Sequence, residues 1–225
     1  IARDQECARR YFICNLDESE PGTYKDRFLA ENSPFGILEG LVIGAYAVGA
    51  SKAYIYINGN FATARERLAR AMDLARQHHF IGAGVMGSSF DLEVELMVGA
   101  GAYICGEESA LINSIEGIRG EPRRRPPFAC ACGLFNKPTV VNNAETISNL
   151  PWIVKNGGEK YAQIGSPRNP GTKLYCVEGA VKKPGIYELP TGVSVYDLVF
   201  GQAGGLQPGK EYYFSQIGGA SGQLV

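Results

Sequence analysis

The sequence predicts an α/β fold in which a mostly parallel sheet is followed by a smaller unit of short strands. Apolar β-type runs alternate with helical patterns up to about residue 165, as they do where crossover helices join parallel strands. Beyond that point the strands are shorter and closer together, so we place a boundary within residues 166–171. The composition, 45% apolar and 20% charged, is typical of packed globular domains. We therefore expect one domain over residues 1–165 and a second over 166–225.

The elements of the first domain alternate in type along the chain. The first strand, at residues 11–14, is apolar and runs into a polar stretch that closes with the turn signal Pro21-Gly22. Periodicity and flanking residues then predict, in order, a helix over 38–48 that starts near Ser33-Pro34, a strand over 53–57, a helix over 63–79 that Gly82 and Gly84 end, a strand over 90–98, a helix over 109–118, a Pro- and Arg-rich loop over 119–138, and residues 139–143 leading into a helix over 144–150.

The second domain is predicted to be a small β-α-β unit. Its strands are expected at residues 174–177, 180–181 and 187–189, and its helix at 195–200. The Gly-rich segment Ala203-Gly204-Gly205 follows that helix.

Charge and hydropathy exclude several classes of partner. The net charge is −1, and the basic run Arg123-Arg124-Arg125 is local, so nucleic acid is not expected as a partner. No apolar stretch reaches the roughly 18 residues that span a bilayer, so any membrane contact would pass through other subunits. The 6 cysteines are scattered, which favours a reducing compartment over a disulfide scaffold.

Polar residues crowd the loop after the first strand. They are Asn15, Asp17, Glu18 and Glu20. Open α/β sheets place ligands at the carboxyl ends of their strands, which makes this loop a candidate site. The alternative is a solvated acidic loop, and the strand before it and the Pro-Gly turn after it weigh against that interpretation.

The segment Gly99–Glu108 is the second candidate. Its glycines would let the flat face or the phosphate of a ligand approach the backbone, and a helix N-terminus just beyond suits an anion. It lacks the third glycine of a dinucleotide-binding fingerprint. Glu107 and Glu108 could equally be carboxylates that stabilise the helix dipole.

Two further segments could contact a nucleotide. The stiff cationic run that ends in Phe128 could grip a dinucleotide by charge and stacking, unless its arginines are merely solvated. Asn142 and Asn143 precede a helix and could bind phosphate or simply cap that helix. His78 and His79 have no third ligand in view, and Cys130 and Cys132 have no second pair, so we expect no metal site.

Taken in order, these segments resemble the NADH-binding, FMN-carrying flavoprotein subunit of complex I, both in the bacterial NADH-quinone oxidoreductase and in its mitochondrial counterpart. The stretch 14–27 is similar to the first FMN loop of that family, and Gly99–Glu108 is similar to the second. Pro126-Pro127-Phe128 and Thr139–Glu145 complete the series, and the likeness runs through essentially all of the chain.

The resemblance implies a Rossmann-like FMN-binding domain followed by a small ubiquitin-like β-grasp domain of the soluble-ligand-binding (SLBB) type. It implies FMN contacts for one set of residues: Asn15, Asp17, Glu18, Tyr103, Gly106, Glu107, Val141, Asn142 and Asn143. It implies NADH contacts for another: Glu20, Glu108, Arg125 and Phe128.

By the same resemblance, the protein would transfer hydride from NADH to FMN, and no side chain would act as nucleophile or metal ligand. Clustered carboxylates would disfavour the extra phosphate of NADPH. The implied partners are a [2Fe–2S] thioredoxin-like subunit and other iron–sulfur subunits. The implied location is the cytoplasmic side of the bacterial inner membrane or the mitochondrial matrix side, with membrane contact only through other subunits.

The sequence departs from the family pattern in four respects. The upstream glycine-rich loop of the family would lie before Ile1, and its [4Fe–4S] domain would lie after Val225. Arg125 stands where lysine is usual, and Asn58-Gly59-Asn60 stands where Arg-Gly-Glu is common.

Two alternatives remain open at this point. One is the diaphorase subunit of a soluble NAD-linked hydrogenase or formate dehydrogenase. The other is a non-catalytic assembly module with a vestigial flavin domain.

Overall fold

The computed structural model describes residues 9–225, so Cys7 lies outside the described residues. The described chain forms two compact units. The first contains residues 9–19 and Asp26–Pro151, and the second contains Glu20–Lys25 and Trp152–Val225.

The first unit alternates strands with helices. Its strands are β1 (Tyr11–Leu16), β2 (Lys52–Asn58), β3 (Glu93–Gly99) and β4 (Thr139–Asn143). Its helices are α1 (Lys25–Asn32), α2 (Pro34–Val48), α3 (Ala62–Gln77), α4 (Glu108–Ile115), α5 (Ala129–Cys132) and α6 (Ala144–Ser148), and α7 (Leu150–Asn156) runs from there into the second unit.

The four strands form one parallel sheet in the order β3-β2-β1-β4. The chain moves outward from β1 through β2 to β3 and then returns to the other side of β1 with β4. The strand order therefore reverses between β1 and β4, and open α/β sheets bind ligands in the crevice at such a point. The predicted parallel α/β sheet is confirmed.

Both faces of the sheet are covered by helices. On one face Phe12, Cys14 and Leu16 of β1 join a buried cluster that includes residues of α2 and α3. On the other face Ile13 and Tyr56 pack in a cluster with residues of α4. Because neighbouring residues of β1 point to opposite faces and both faces are buried, the strand is a continuous apolar run in the sequence.

Helix α2 lies unusually close to β1. A Cβ atom on Gly44 would come within 2.5 Å of the Phe12 ring, so only glycine fits at that point. Pro34 starts the helix, as the sequence predicts, and Gly49, at φ 69°, ends it.

Several predicted boundaries in the first unit are wrong. Helix α3 ends at Gln77 and not at residue 79, and α4 ends at Ile115 and not at residue 118. Strand β3 starts at Glu93 because Leu92 instead pairs with Gly82 in an isolated bridge. The predicted loop over residues 119–138 contains α5, where the Phe128 carbonyl accepts the N–H groups of Ala131 and Cys132.

The second unit has short strands that pair antiparallel. Its further elements are α8 (Gly158–Ala162), β5 (Gly165–Ser166), β6 (Asn169–Pro170), β7 (Thr172–Val177), β8 (Gly185–Pro190), a π-helical turn (Asp197–Gln202), β9 (Gln216–Ile217) and β10 (Gln223–Leu224). The strand predicted at residues 180–181 is reduced to one bridge between Val181 and Leu206. The small hydrophobic core of the second unit is formed by Val181, Val199 and Ala203.

Among residues 9–225, no helix is long and apolar enough to cross a membrane.

Candidate functional site

The carboxyl ends of the four parallel strands lie at one edge of the sheet, and most of the predicted site residues are there. The register pairs Asn15 of β1 with Asn143 of β4, and Asn58 of β2 with Gly99 of β3. The ends of the four strands, and the polar loops that follow them, therefore lie together around the point where the strand order reverses.

Asn15 connects the β1 loop to the glycine-rich segment after β3. Its amide group donates to the Gly106 carbonyl at 2.8 Å, and its side-chain oxygen accepts the N–H of Asp17 at 3.1 Å. Two segments that are 91 residues apart in sequence are therefore held together by one side chain. Tyr103, which precedes Gly106 in a 3-10 turn, is 61% exposed.

Asp17 carries the least satisfied carboxylate of this region. The residue is 6% exposed, and neither carboxylate oxygen accepts a hydrogen bond of ordinary geometry within the part of the chain that the structure describes. Burial raises the pKa of Asp17 to about 6, and nearby Ser19 offsets that rise only in part. A buried acceptor without a donor is costly, which points to a donor from a ligand.

Glu18 has a structural task in addition to its place in the loop. Its two carboxylate oxygens accept the backbone N–H groups of Asp26 and Arg27 at 3.0 and 3.1 Å, at the start of α1. A carboxylate at a helix N-terminus satisfies donors that have no partner within the helix. The Glu18 carboxylate therefore points to α1 and accepts the N–H groups at its start.

Asn58 ties the ends of the first three strands together. This residue is 4% exposed and donates to the Ser19 hydroxyl at 3.0 Å, while its oxygen accepts the N–H of Asn60 at 3.0 Å. Gly101, at φ 80°, packs so closely that a Cβ atom there would lie 3.1 Å from the Asn58 oxygen. The glycine is therefore required by conformation and by space.

Glu107 caps α4. One of its oxygens accepts the N–H groups of Ser109 and Ala110, each at 3.0 Å, and the Ser109 hydroxyl. Burial opposes ionisation of Glu107, but these hydrogen bonds and the charge of Arg125 outweigh it and lower its pKa. The carboxylate is held charged before any ligand arrives.

Arg125 lies against both carboxylates at the start of α4. Its guanidinium contacts Glu107 and forms an ion pair with Glu108 at 2.7 Å. Phe128, further along the same loop, is 55% exposed. The structure therefore brings Arg125 and Glu108, two of the four residues predicted to contact NADH, into direct contact.

Asn143 both caps α6 and reaches towards α1. Its oxygen accepts the N–H of Glu145 at 3.0 Å, and its amide group donates to Asp26 at 2.6 Å. Asn142 and Val141 precede it on β4, partly buried. Capping, one of the two roles that the sequence left open for this segment, is therefore observed, and the Asp26 contact brings Asn143 beside α1.

Glu20 belongs to the second unit. Its carboxylate accepts the N–H of Ala220 at 2.6 Å, within that unit.

Sequence reasoning missed a buried layer beneath the glycine-rich segment. The Tyr56 hydroxyl lies 2.8 Å from that of Ser114 on α4, and a Cβ atom on Gly99 would lie 2.5 Å from the Tyr56 oxygen. Burial raises the pKa of Tyr56 to about 12, so it stays protonated at neutral pH. Tyr56 looks like an ordinary strand residue in the sequence, and only its neighbours in three dimensions reveal this contact.

A separate open cavity of about 690 Å³ lies between α3 and the edge strand β3. Its lining includes Asp73, Arg76 and Glu93, and none of the predicted site residues. Within residues 9–225, no group of three or more metal-ligating side chains is placed to hold an ion.

Comparison with known proteins agrees with the resemblance found in the sequence. The family model for the Nuo51 FMN-binding domain matches residues 1–152. The NADH-quinone oxidoreductase F subunit of Aquifex aeolicus is 51% identical over 202 residues, 90% of this chain and 47% of that protein. The NADH-quinone oxidoreductase F 2 subunit of Rhizobium meliloti is 47% identical over 216 residues, 96% of this chain and 51% of that protein.

A solved structure extends the similarity to three dimensions. The crystal structure of an NAD⁺-reducing [NiFe]-hydrogenase in the H₂-reduced state superimposes with a TM-score of 0.90 at 39% identity, covering 100% of this chain and 37% of that one. The chain spans about half the length of the curated relatives that it matches. Since the family model covers well over half of the sequence, the chain belongs to the family of the Nuo51 FMN-binding domain.

Proposed function

We propose that the chain forms the flavin- and nicotinamide-binding part of an electron-input subunit, which passes hydride from NADH to FMN and electrons onward to iron–sulfur clusters and quinone. The single observation that carries this proposal is the convergence of Asn15, Asp17, Glu107 and Asn143 at the point where the strand order reverses. Ligands of open α/β sheets bind in that crevice.

The residues present fit a flavin. The Asp17 carboxylate is buried with no hydrogen bond of ordinary geometry from residues 9–225, and the imide and hydroxyl groups of a flavin mononucleotide are donors. Gly106 carries no side chain, and a Cβ atom there would meet only the Asp17 carbonyl, at 3.5 Å, so the backbone at this point leaves room for the close approach of a flat ring. When bound, FMN supplies the hydride acceptor and an exit for single electrons.

In this proposal the FMN contacts come from Asn15, Asp17, Tyr103 and Gly106, from Glu107, and from Val141, Asn142 and Asn143. Glu18 would act behind them by holding α1 in place, since its carboxylate is occupied by the first N–H groups of that helix. Asn15 orients the Gly106 carbonyl, so that the β1 loop and the glycine-rich segment form one surface.

Glu108, Arg125 and Phe128, all of the first unit, would bind NADH. The ion pair of Arg125 with Glu108 leaves a positive and a negative group side by side, suited to a pyrophosphate and a ribose respectively. Exposed Phe128 offers a face for stacking. The task of these groups is to hold the dinucleotide at the site, so they act on its affinity.

The second unit is proposed to be a β-grasp domain of the SLBB type. The β7–β8 hairpin, the helical turn at Asp197–Gln202 and the core of Val181, Val199 and Ala203 support it. Such a unit could carry a docking role in the assembled enzyme.

A second candidate function is the diaphorase subunit of a soluble hydrogenase. The observation in its favour is the similarity to the NAD⁺-reducing hydrogenase over the whole chain. Both functions share the same site chemistry and exchange electrons with iron–sulfur subunits, but they differ in the redox partner beyond those subunits. For the first we propose attachment to the cytoplasmic or matrix side of a membrane through other subunits.

The test is reduction of bound flavin by NADH. Purified protein is loaded with FMN and mixed with NADH without oxygen, and the visible absorbance of the flavin is expected to bleach. Asn15→Ala should lose most of the flavin, since it frees the Gly106 segment. Asn149→Ala is the matched control, because its amide makes a 2.8 Å bond to the Glu145 carbonyl within a helical segment.

The outcomes separate cleanly. Failure of the wild-type protein to bleach contradicts the proposed function. Equal flavin content in Asn15→Ala and Asn149→Ala contradicts the assignment of the crevice.

A further inference from the structure

Arg123 makes the densest set of contacts in the loop between α4 and β4. Its guanidinium donates to Asn113 at 2.7 Å, to the Gly133 carbonyl at 3.1 Å and to Glu116 at 2.7 Å. Its backbone N–H donates to the Ser109 hydroxyl at 2.8 Å. The Arg123 side chain is 27% exposed and that of Glu116 is 18% exposed, so this hydrogen-bond network is partly buried.

The partners of Arg123 hold the loop at two more points. The amide group of Asn113 donates to the Glu121 carbonyl at 2.7 Å, just before Arg123. The second oxygen of Glu116 accepts the N–H of Phe135 at 2.7 Å, on the far side of α5. The loop is therefore fastened to α4 at its start, at Arg123 and near its end.

Arg125 and Phe128 lie between those fastening points. Arg125 contacts Glu107 and Glu108 at the start of the same helix, α4. The Ser109 hydroxyl that accepts the Arg123 N–H also donates to the Glu107 carboxylate. One continuous set of contacts thus links the loop that carries Arg123 and Arg125 to the start of α4, where Glu107 and Glu108 lie.

Arg124 shows that charge alone does not explain the arrangement. It is exposed and makes no hydrogen bond or ion pair with the described residues of the chain. Three consecutive arginines therefore have three different situations: one anchored, one solvated and one at the carboxylates.

We infer that Arg123 is a positioning residue for the dinucleotide: by fixing the loop to α4 it sets the place of Arg125 and Phe128 against Glu108. This rests on the proposed function of the site. Arg123 does not contact the nucleotide, so the rate of the transfer step, once the nucleotide is bound, does not depend on it.

The expected consequence is a change in binding and not in turnover. In Arg123→Gln the loop loses several directed hydrogen bonds and an ion pair, so Arg125 and Phe128 sample positions away from Glu108. We expect KM for NADH to rise roughly tenfold to hundredfold, which is the usual effect of losing charged hydrogen bonds that order a site. The value of kcat should stay within about twofold, following the logic of interactions that act on binding alone.

The experiment compares Arg123→Gln with Arg124→Gln in the flavin-loaded protein, with ferricyanide as electron acceptor. The two variants lose the same charge from adjacent positions, but only the first breaks the network. A second readout needs no turnover: amide hydrogen exchange over residues 121–135 should quicken in Arg123→Gln and stay unchanged in Arg124→Gln, while exchange in β1 to β4 is equal in both.

Two milder variants test the same role in case Arg123→Gln does not fold. Arg123→Lys keeps a cation beside Glu116 but cannot reach Asn113 and Gly133 together, so its KM should fall between wild type and Arg123→Gln. Glu116→Gln should raise KM in the same direction by a smaller factor, since an amide oxygen can still accept the Phe135 N–H.

Each outcome decides something. Equal KM values for Arg123→Gln and Arg124→Gln, with the wild-type protein active, overturn the positioning role and leave the proposed function standing. A fall in kcat with KM unchanged also overturns it. No oxidation of NADH by the wild-type protein removes the proposed function itself, whereas loop exchange still reports whether Arg123 fastens the segment.

Discussion

Two carboxylates of the candidate site, Asp17 and Glu107, are in opposite physical states. Asp17 follows β1 with both oxygens buried and without a regular hydrogen bond within residues 9–225, and burial raises its pKa to about 6. Glu107 lies at the start of α4, where Ser109, Ala110 and Arg125 overcome the effect of burial and lower its pKa. The sequence predicts the same kind of cofactor contact for both.

The difference indicates two separate tasks. Glu107 already uses its hydrogen-bonding capacity on α4 and Arg125, so it provides a fixed charge and a fixed helix start. Asp17 keeps its capacity for a donor that the described protein does not supply. When environments push the pKa values of two neighbouring acids apart, their roles differ accordingly.

The largest expected effect comes from Asp17→Asn. An amide oxygen is a weaker acceptor than a carboxylate, and the amide group adds a donor where the ligand is expected to donate. FMN affinity should fall about tenfold to hundredfold, the usual range for a lost charged hydrogen bond. Fluorescence titration measures it, and Asp73→Asn, on the exposed side of α3, should bind like wild type. Unchanged affinity in Asp17→Asn would remove Asp17 from the cofactor site.

The second effect concerns stability and pH. A carboxyl whose pKa is raised on folding from 3.8 to about 6 contributes most below pH 4, and this contribution is lost as pH rises through 6. Without flavin, Asp17→Asn should therefore match wild type near pH 4 and be more stable by about 3 kcal/mol above pH 7. Denaturant unfolding at several pH values measures the difference. A difference that does not vary with pH would contradict the unsatisfied state of Asp17.

The sequence predicted the parallel sheet and placed polar loops at the ends of its strands because both follow from local patterns. Apolar runs that end in polar or glycine-rich loops mark strand ends, and parallel strands collect those ends at one edge. Asn15, Asp17 and Asn143 could be identified in this way.

The sequence did not predict which of these side chains already form hydrogen bonds within the protein, since their partners lie elsewhere along the chain. The Glu18 carboxylate accepts the first N–H groups of α1 because the turn after β1 brings the start of that helix close to it. Arg123 looks like its neighbour Arg124 until α4 places Asn113 and Glu116 beside it. Helix α5 was missed because four residues with two cysteines carry no helical period.

The third effect tests the fixed state of Glu107. Glu107→Ala removes the cap of α4, which should lower the free energy of unfolding by about 1 kcal/mol at neutral pH. Because the pKa of Glu107 is lowered on folding, its contribution is present above its ordinary pKa of 4.5 and is lost as pH falls below it. The cost of the substitution should thus shrink in acid, opposite to the trend for Asp17→Asn.

Thermal or denaturant unfolding measures the effect, and Glu107→Asn is the matched variant. Asparagine is a good N-cap, so it should restore part of the lost stability without restoring the charge beside Arg125. If alanine and asparagine destabilise equally, the cap is not what Glu107 contributes.

The smallest effect is expected at Glu108, whose charge is partly neutralised. A carboxylate near the adenosine ribose repels the additional phosphate of NADPH, but the Arg125 guanidinium lies only 2.7 Å from it and the side chain is 34% exposed. Glu108→Gln should therefore lower the ratio of kcat/KM for NADH over NADPH by about tenfold or less. Steady-state rates with both nucleotides measure this ratio.

The control is Glu121→Gln, which removes an exposed carboxylate on the adjoining loop. It loses the same charge and should leave the ratio unchanged, because solvent screens the charge of Glu121. An equal change in the two variants would assign the selectivity to general charge, whereas a change in Glu108→Gln alone would assign it to the position of Glu108.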